Sequence, residues 1–450
     1  MESVLASLNG DARGAAVRIL DDVRLGGAYA DDLLQNSLHR LGLAQADKAL
    51  LVELVQGTLR WRGQLDWILT RFFKGDFDAS PSRLRSILEV GLYQLRFLDR
   101  VPTYAAVSEA VSLAKQTGGV RWGGLVNAIL RRYLREGKRI EFPAIKTDPT
   151  TAISVTYSHP PWMVERWLRR FGLTQTVEYC KFNNRRPTKS LRVNCAKMST
   201  DEAANYLNGL GVEVKRSAYF DDFLLCSGSL DIAGDPNFVR GCFSVQDEST
   251  AIAATLLRPE ADETVLDMCS APGGKTCHLA HLSGDAARII AVDVRLDRLL
   301  RVRENSRRLE LNSIVPVLAD ARSLHGGPFD KILLDAPCSG LGVLSRRSDL
   351  RWRKRPEDIK RIATVQRDLL HKAGRLLKRG GALVYSTCTL EKEETENVIE
   401  EFLQVNNDFT VDHEGAGLPS IFQDRSGFWY SRPFEHTMDG TFAARLVRKG

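Results

Sequence analysis

Two cysteines stand in separate and unusual settings, Asp335-Ala336-Pro337-Cys338-Ser339-Gly340 and Tyr385-Ser386-Thr387-Cys388-Thr389. Each follows a short apolar run that reads as a buried strand, Lys331–Leu334 before the first and Ala382–Tyr385 before the second. Parallel α/β sheets bind ligands at their carboxyl strand ends. Two thiols delivered there, one beside a carboxylate, suit covalent chemistry on an electrophilic ring. Cytosine C5 is a poor nucleophile, but a thiolate added at C6 turns the ring into an enamine whose C5 can attack a methyl group. A free thiol, with a pKa of ~8.5, needs local positive charge, hydrogen bonds or a helix N-terminus to ionise. Asp335 is placed to steady charge at N3 and the exocyclic amine as the thiolate adds, and a base must then remove the C5 proton. On this chemistry alone, either Cys338 or Cys388 can be the nucleophile. Cys180, Cys195, Cys226, Cys242 and Cys277 read instead as small buried hydrophobes.

A third segment, Asp267-Met268-Cys269-Ser270-Ala271-Pro272-Gly273-Gly274-Lys275, reads as a cofactor loop between a strand and a helix. Its glycines let backbone approach a ligand, and the helix start offers free N–H groups. It is not G-x-G-x-x-G, so a dinucleotide is not the first choice. Asp293 ends the next strand and suits ribose hydroxyls. Asp320 follows the third strand and suits an adenine edge, and Asp335 ends the fourth. Acidic residues at four successive strand ends would repel a pyrophosphate. They suit a cationic ligand with a ribose, and S-adenosylmethionine answers that description.

The elements that must position these residues run strand then helix from about Gly241. Strands are expected at Thr264–Met268, Ile289–Val294, Val315–Leu318, Lys331–Leu334 and Ala382–Ser386. Helices are expected at Thr276–Leu282, Leu296–Leu309, Glu357–Leu377 and Lys392–Leu403. That alternation means a largely parallel, doubly wound sheet, with Thr441–Val447 as an extra edge strand. Residues 11 to about 137 carry helical stripes instead, among them Leu50, Leu51, Leu54 and Val55; Leu84, Ile87, Leu88, Leu92 and Leu95; and Ala106, Val107, Ala110, Val111 and Ala114. Asp78, Ser80 and Pro81 form a helix entry before Leu84. Between these regions, residues 150 to about 240 mix helices and short strands as a small α+β unit. The expected division is 1–140, 150–240 and 241–450.

The chain has 450 residues, 43% hydrophobic and 26% charged, as in globular proteins. No apolar run approaches the ~18–20 residues that cross a bilayer. Met1-Glu2-Ser3-Val4 carries no leader pattern, and the eight scattered cysteines lack C-x-x-C pairs. A metal site and a disulfide framework are therefore not expected, and a reducing cytoplasm is. The net charge of +7 is compatible with a polyanionic partner. Basic residues cluster at Arg131, Arg132, Arg135, Lys138 and Arg139, at Arg166, Arg169 and Arg170, and at Arg185 and Arg186. Arg346, Arg347, Arg351, Arg353, Lys354 and Arg355 surround Trp352. In that last segment arginines could grip phosphates while the ring stacks on a base.

With these motifs on the page, residues 241–449 resemble the RNA (cytosine-5) methyltransferases of the Nol/Nop/Sun group. The carrying segments are Cys269–Lys275, Asp335–Gly340 and Ser386–Cys388, with Asp439-Gly440 near the end. Region 1–140 is similar to the NusB fold, a helical RNA-binding module. The resemblance implies three domains: an all-α NusB-like one, a small α+β (RRM-like) one, and an α/β Rossmann-like class I S-adenosylmethionine-dependent methyltransferase. It implies that Cys388 is the nucleophile, that Cys338 assists product release, and that Asp335 takes part. It also implies that Cys269, Ser270, Ala271, Pro272, Gly273, Gly274, Lys275, Asp293, Asp320 and Asp335 bind S-adenosylmethionine. The pairing with a NusB-like module points to 16S ribosomal RNA as partner, with cytosine 967 as target. The protein is expected to act as a monomer, away from membranes. Ser270 stands where the group more often has Ala, and Thr441 where an aromatic residue is more usual. A transfer RNA substrate, or a non-enzymatic RNA-binding assembly factor, is the alternative. An amino-methylating enzyme is disfavoured, since the fourth strand ends in Asp-Ala-Pro-Cys and not in an Asn-Pro-Pro-Tyr motif.

Overall fold

The structure, a computed structural model, describes residues 11–228 and 231–450, with Lys138 described by its backbone only. Met1–Val4, read above for a leader pattern, lie outside the described residues. The chain divides into two compact units, Met1–Arg185 with Leu344–Lys354, and Arg186–Val343 with Arg355–Gly450.

The first unit is helical: α1 (Ala12–Arg24), α2 (Ala30–Arg40), α3 (Gln45–Phe72), α4 (Ser82–Phe97), α5 (Thr103–Glu136), α6 (Pro149–Tyr157) and α7 (Pro161–Asn183). Apolar residues three and four apart give each long helix a stripe. Leu51, Leu54 and Val55 of α3, Leu84, Ile87 and Leu88 of α4, and Val107, Ala110 and Ala114 of α5 share one core. The helix entry before Leu84 works differently from the expectation. Pro81 precedes α4 with no side-chain cap, and Asp78 bonds Arg85 instead. Gly119, at φ 76°, breaks α5 at a kink, a conformation that favours glycine.

Leu344–Lys354 belongs to this unit although its sequence neighbours belong to the other. Arg351 is fully buried there. Its Nη1 donates to the carbonyls of Arg60 (3.1 Å) and Ser158 (3.0 Å) and to Asn184 Oδ1 (2.9 Å). Its Nη2 donates to the carbonyls of Asn183 (3.0 Å) and Leu344 (3.4 Å). Burial, with Arg60 nearby, lowers its pKa to about 9. Trp352 Nε1 donates to the Leu59 carbonyl (2.6 Å), and Arg353 donates to the carbonyls of Gly27 and Ala28. The segment read as a phosphate grip is therefore corrected for Arg351, Trp352 and Arg353. Their donors go to backbone carbonyls of the helical unit: Ser158 and Asn183 lie at the ends of α6 and α7, where carbonyls lack intrahelical partners, while Leu59 and Arg60 lie inside α3.

The second unit carries two sheets. β1 (Lys189–Val193), α8 (Thr200–Gly209), β2 (Glu213–Arg216), β3 (Phe223–Ser227), α9 (Pro236–Val239) and β4 (Phe243–Val245) form a four-stranded antiparallel sheet, order β2-β3-β1-β4. α8 begins with a capping box, Ser199 and Glu202 exchanging bonds with each other's backbone N–H. β4 lies past residue 240, and α6 and α7 cluster with the helical unit. One cysteine differs from its expectation: Cys195 sits exposed in the turn after β1, while Cys180, Cys226, Cys242 and Cys277 are buried.

The larger part contains α10 (Ala251–Leu257), β5 (Thr264–Asp267), α11 (Gly274–Leu282), β6 (Arg288–Asp293), α12 (Leu296–Arg308), β7 (Ile314–Leu318) and β8 (Phe329–Asp335). It continues with α13 (Pro356–Leu376), β9 (Leu377–Thr387), α14 (Glu396–Val405), β10 (Phe409–Val411), β11 (Trp429–Ser431) and β12 (Thr441–Arg448). Strand order is β10-β12-β9-β8-β5-β6-β7, with β11 also on β12. β9, β8, β5, β6 and β7 run parallel, so their carboxyl ends share one edge. β12 is not the edge strand expected. It pairs with β9 on one side and with β10 and β11 on the other, and Phe442, Ala443, Ala444 and Leu446 are buried.

Candidate active site

β8 and β9 are parallel neighbours with Asp335 opposite Ser386. Their loops bring Cys338 Sγ and Cys388 Sγ to 2.9 Å. Cross-links hold the loops together. The Gly342 N–H donates to the Cys388 carbonyl (3.0 Å), and Ser339 Oγ donates to Thr389 Oγ1 (3.1 Å). Gly440 N–H in turn donates to the Gly342 carbonyl (2.8 Å). A Cβ at Gly342 would lie 2.0 Å from the Gly440 carbonyl oxygen, so this crossing requires glycine. Asp439-Gly440 thus shapes the cysteine loops through backbone.

Asp335 Oδ1 accepts from Ser386 Oγ (2.8 Å), and Oδ2 accepts from Lys275 Nζ (2.7 Å). The bond shared between the sulfurs raises the Cys338 thiol and lowers Cys388. Burial raises both, and on Cys388 Asp335 opposes the pull of Lys275. Either sulfur can donate in this contact; with Cys338 as donor, Cys388 is the more readily ionised of the two.

A residue missed in the sequence supports the Pro-Cys loop. Glu394 is fully buried, and its Oε2 accepts from the Ser339 N–H (2.7 Å) and from Gln366 Nε2 (3.2 Å). Gln366 Nε2 also donates to the Pro337 carbonyl (2.9 Å), and Tyr385 OH donates to the Glu394 carbonyl (2.7 Å). Burial pushes the Glu394 carboxyl up to about 7.

The loop after β5 sits on the same edge. Asp267 is buried; Oδ2 accepts from Thr276 Oγ1 (2.7 Å), while Oδ1 has no partner. Burial pushes this carboxyl up to about 7. Gly273 has φ 100°, and a Cβ there would meet the Val302 backbone at 3.0 Å. Ser270 donates its N–H (2.9 Å) and its hydroxyl (3.1 Å) to the Val292 carbonyl, so the serine adds a bond that alanine could not. Burial raises the Cys269 thiol, and Asp267, Asp335, Asp293 and Asp320 all raise it further. The four strand-end aspartates thus converge electrostatically on Cys269. Asp293 accepts from the N–H groups of Ala271 (3.2 Å) and Arg295 (2.9 Å). Asp320 differs, because the Arg322 guanidinium holds both its oxygens. Asn305 Nδ2, also missed, donates to the Pro272 carbonyl (3.1 Å). Among the described residues no helix is long and apolar enough to cross a membrane.

Residues 254–447 match a family described as 16S rRNA methyltransferase RsmB/F. Residues 10–135 match the NusB family, and residues 159–233 the ferredoxin-like domain of RsmF/B-like methyltransferases. A probable ribosomal RNA small subunit methyltransferase B of Bacillus subtilis is 35% identical over 97% of this chain and 99% of its own. A ribosomal RNA small subunit methyltransferase B of Pseudomonas putida is 37% identical over 87% and 88%. Among solved structures, PH0851 aligns with TM-score 0.81 at 28% identity, covering 96% of this chain and 98% of that one. NSun6 from Pyrococcus horikoshii, solved with SFG, aligns with TM-score 0.58 at 25% identity, covering 65% and 98%.

Proposed function

The chain belongs to the ribosomal RNA small subunit methyltransferase B family, and from that premise we propose that it methylates C5 of a cytosine in 16S ribosomal RNA, with S-adenosylmethionine as donor. The observation that carries this reading is the pair of sulfurs 2.9 Å apart beside the Asp335–Lys275 ion pair. The residues of the neighbouring loop fit the donor. Asp267 has a buried oxygen with bonding capacity to spare, and the turn at Gly273 leaves no room for a Cβ. In this reading the backbone of Cys269–Lys275 cradles the amino-acid end, and Asp293 keeps lone pairs for ribose hydroxyls. Asp320 acts at the adenine side and, being held by Arg322, contributes least. The bound donor supplies an electrophilic methyl carbon on a sulfonium.

The residues then divide the work. Cys388, as thiolate, forms the bond to C6 and makes C5 nucleophilic. Asp335 steadies the ring at N3 and the exocyclic amine. After methylation a base, water or a side chain of the site, takes the C5 proton, the C5–H electron pair re-forms C5=C6, and the electron pair of the C6–S bond returns to Cys388. Cys338, in contact with that sulfur, assists the release. The reading takes the target as the single cytosine named above, the protein as a monomer, and the cytoplasm as its place of work. Transfer of label from methyl-labelled S-adenosylmethionine to 16S RNA, followed by nucleoside analysis, tests it. The expected product is 5-methylcytidine. Label in N4-methylcytidine or in a 2′-O-methyl ribose would overturn it.

A further inference from the structure

Cys338 and Cys388 are equivalent as bare thiols, and their shared proton must sit on one of them. Their surroundings are not equivalent. The charges facing Cys388 are Asp335 and Lys275, which form an ion pair with each other at 2.7 Å and so largely cancel. Glu394 also faces it, but behind Asp335 and Lys275. On the Cys338 side the charged neighbour is Glu394, whose carboxylate is bonded to the peptide N–H of Ser339, the residue after Cys338. Its other partner is the neutral Gln366 side chain, and its Oε1 is buried with none. Among the described residues no ammonium or guanidinium forms an ion pair with it, Arg367 acts beside it on Tyr385, and Glu391 adds a like charge. Buried charge that is not neutralised acts over low-dielectric distance with little screening.

We propose that Glu394 is the positioning residue that decides which sulfur is the nucleophile: its negative charge beside the Cys338 loop keeps the shared proton on Cys338 and leaves Cys388 as the thiolate. Nothing is consumed in this assignment; one proton lies between two sulfurs, and the field of one carboxylate places it. The inference rests on the reading above only for the use made of that thiolate. The polarisation itself exists without RNA or donor.

Alkylation by iodoacetamide, resolved by peptide mass spectrometry, reads it directly on the full chain without substrate. In the wild type at pH 8, Cys388 should be labelled faster than Cys338. Glu394→Gln keeps an oxygen to accept the Ser339 N–H but removes the charge. The ratio of Cys388 to Cys338 labelling should fall about tenfold, the change in thiolate fraction that accompanies one pKa unit. The wild type supplies a second arm that needs no variant. Glu394 is neutralised as pH falls through about 7, so the ratio should fall over the same window. A ratio unchanged in Glu394→Gln and flat across that window would overturn the inference. Loss of methyl transfer in Cys388→Ala would still stand in that case, so the two readings fail separately.

Discussion

The Cys338 loop runs almost directly into the Leu344–Lys354 segment, and both it and its partner loop at Cys388 resemble that segment in being dense in polar side chains. Their side chains do opposite things. Both terminal nitrogens of Arg351 are consumed by four carbonyls and an amide oxygen within the helical unit. At the sheet edge Asp267 and Glu394 each keep a buried oxygen without a partner, and two sulfurs stand 2.9 Å apart. A buried polar group left short of partners costs stability, commonly ~1–3 kcal/mol. At the carboxyl ends of parallel strands, where such sheets bind ligands, that cost falls in a place shaped for a ligand or a reaction. Arg351 also keeps its Nε buried without a partner, but its two terminal nitrogens are spent on the backbone and Asn184 of the helical unit, so it marks architecture.

The sharpest break of this contrast is Cys388→Ala, which should lower methyl transfer by about three orders of magnitude or more while leaving the melting temperature near that of the wild type. Arg351→Met should do the reverse. It leaves several buried carbonyls unpaired and should destabilise the helical unit by about 3–5 kcal/mol, seen in thermal unfolding. Were Arg351 instead an RNA contact, the variant would melt normally and lose salt-dependent RNA affinity. Within the donor loop, Asp293→Ala should weaken S-adenosylmethionine binding by about 1–3 kcal/mol in calorimetry, and Asp320→Ala by less than about 1 kcal/mol. Equal losses would mean that Arg322 does not hold Asp320 away from the ligand.

The smallest effect concerns pH. Burial raises Asp267 from 3.8 to about 7, so the folded chain binds a proton there that the unfolded chain has lost. Stability from this group is present below about pH 4 and is lost as pH rises toward 7. Glu394 acts in the same direction from 4.5 to about 7. Asp267→Asn should therefore melt with a shallower decline between pH 5 and pH 8 than the wild type. An identical decline would mean that Asp267 is not the titrating group.

The parallel strands were legible because Val265, Ile289, Ile332 and Val384 lie in short apolar runs that end in acids or small polar residues. The cysteines were legible because Pro-Cys and Thr-Cys follow such runs. β10 and β11, of three residues each, are too short to show alternation, and β12 reads as an edge because a sequence does not reveal its neighbours. Glu394 was hidden for a different reason. Glu391, Glu393, Glu394 and Glu396 look alike as a solvated acidic run, and only the bond to Ser339, far away in sequence, singles one out. Arg351 failed in the opposite sense. An arginine beside tryptophan suits RNA and suits buried backbone carbonyls equally well, and burial alone separates them.

The central claim is a sulfur–C6 bond made by Cys388 and released with the help of Cys338. Denaturing electrophoresis of each single alanine variant, incubated with 16S RNA and S-adenosylmethionine, tests it most directly. Cys338→Ala should accumulate a protein–RNA adduct that survives denaturant, and Cys388→Ala should form none. The opposite pattern, or methyl transfer undiminished in both variants, would contradict the account.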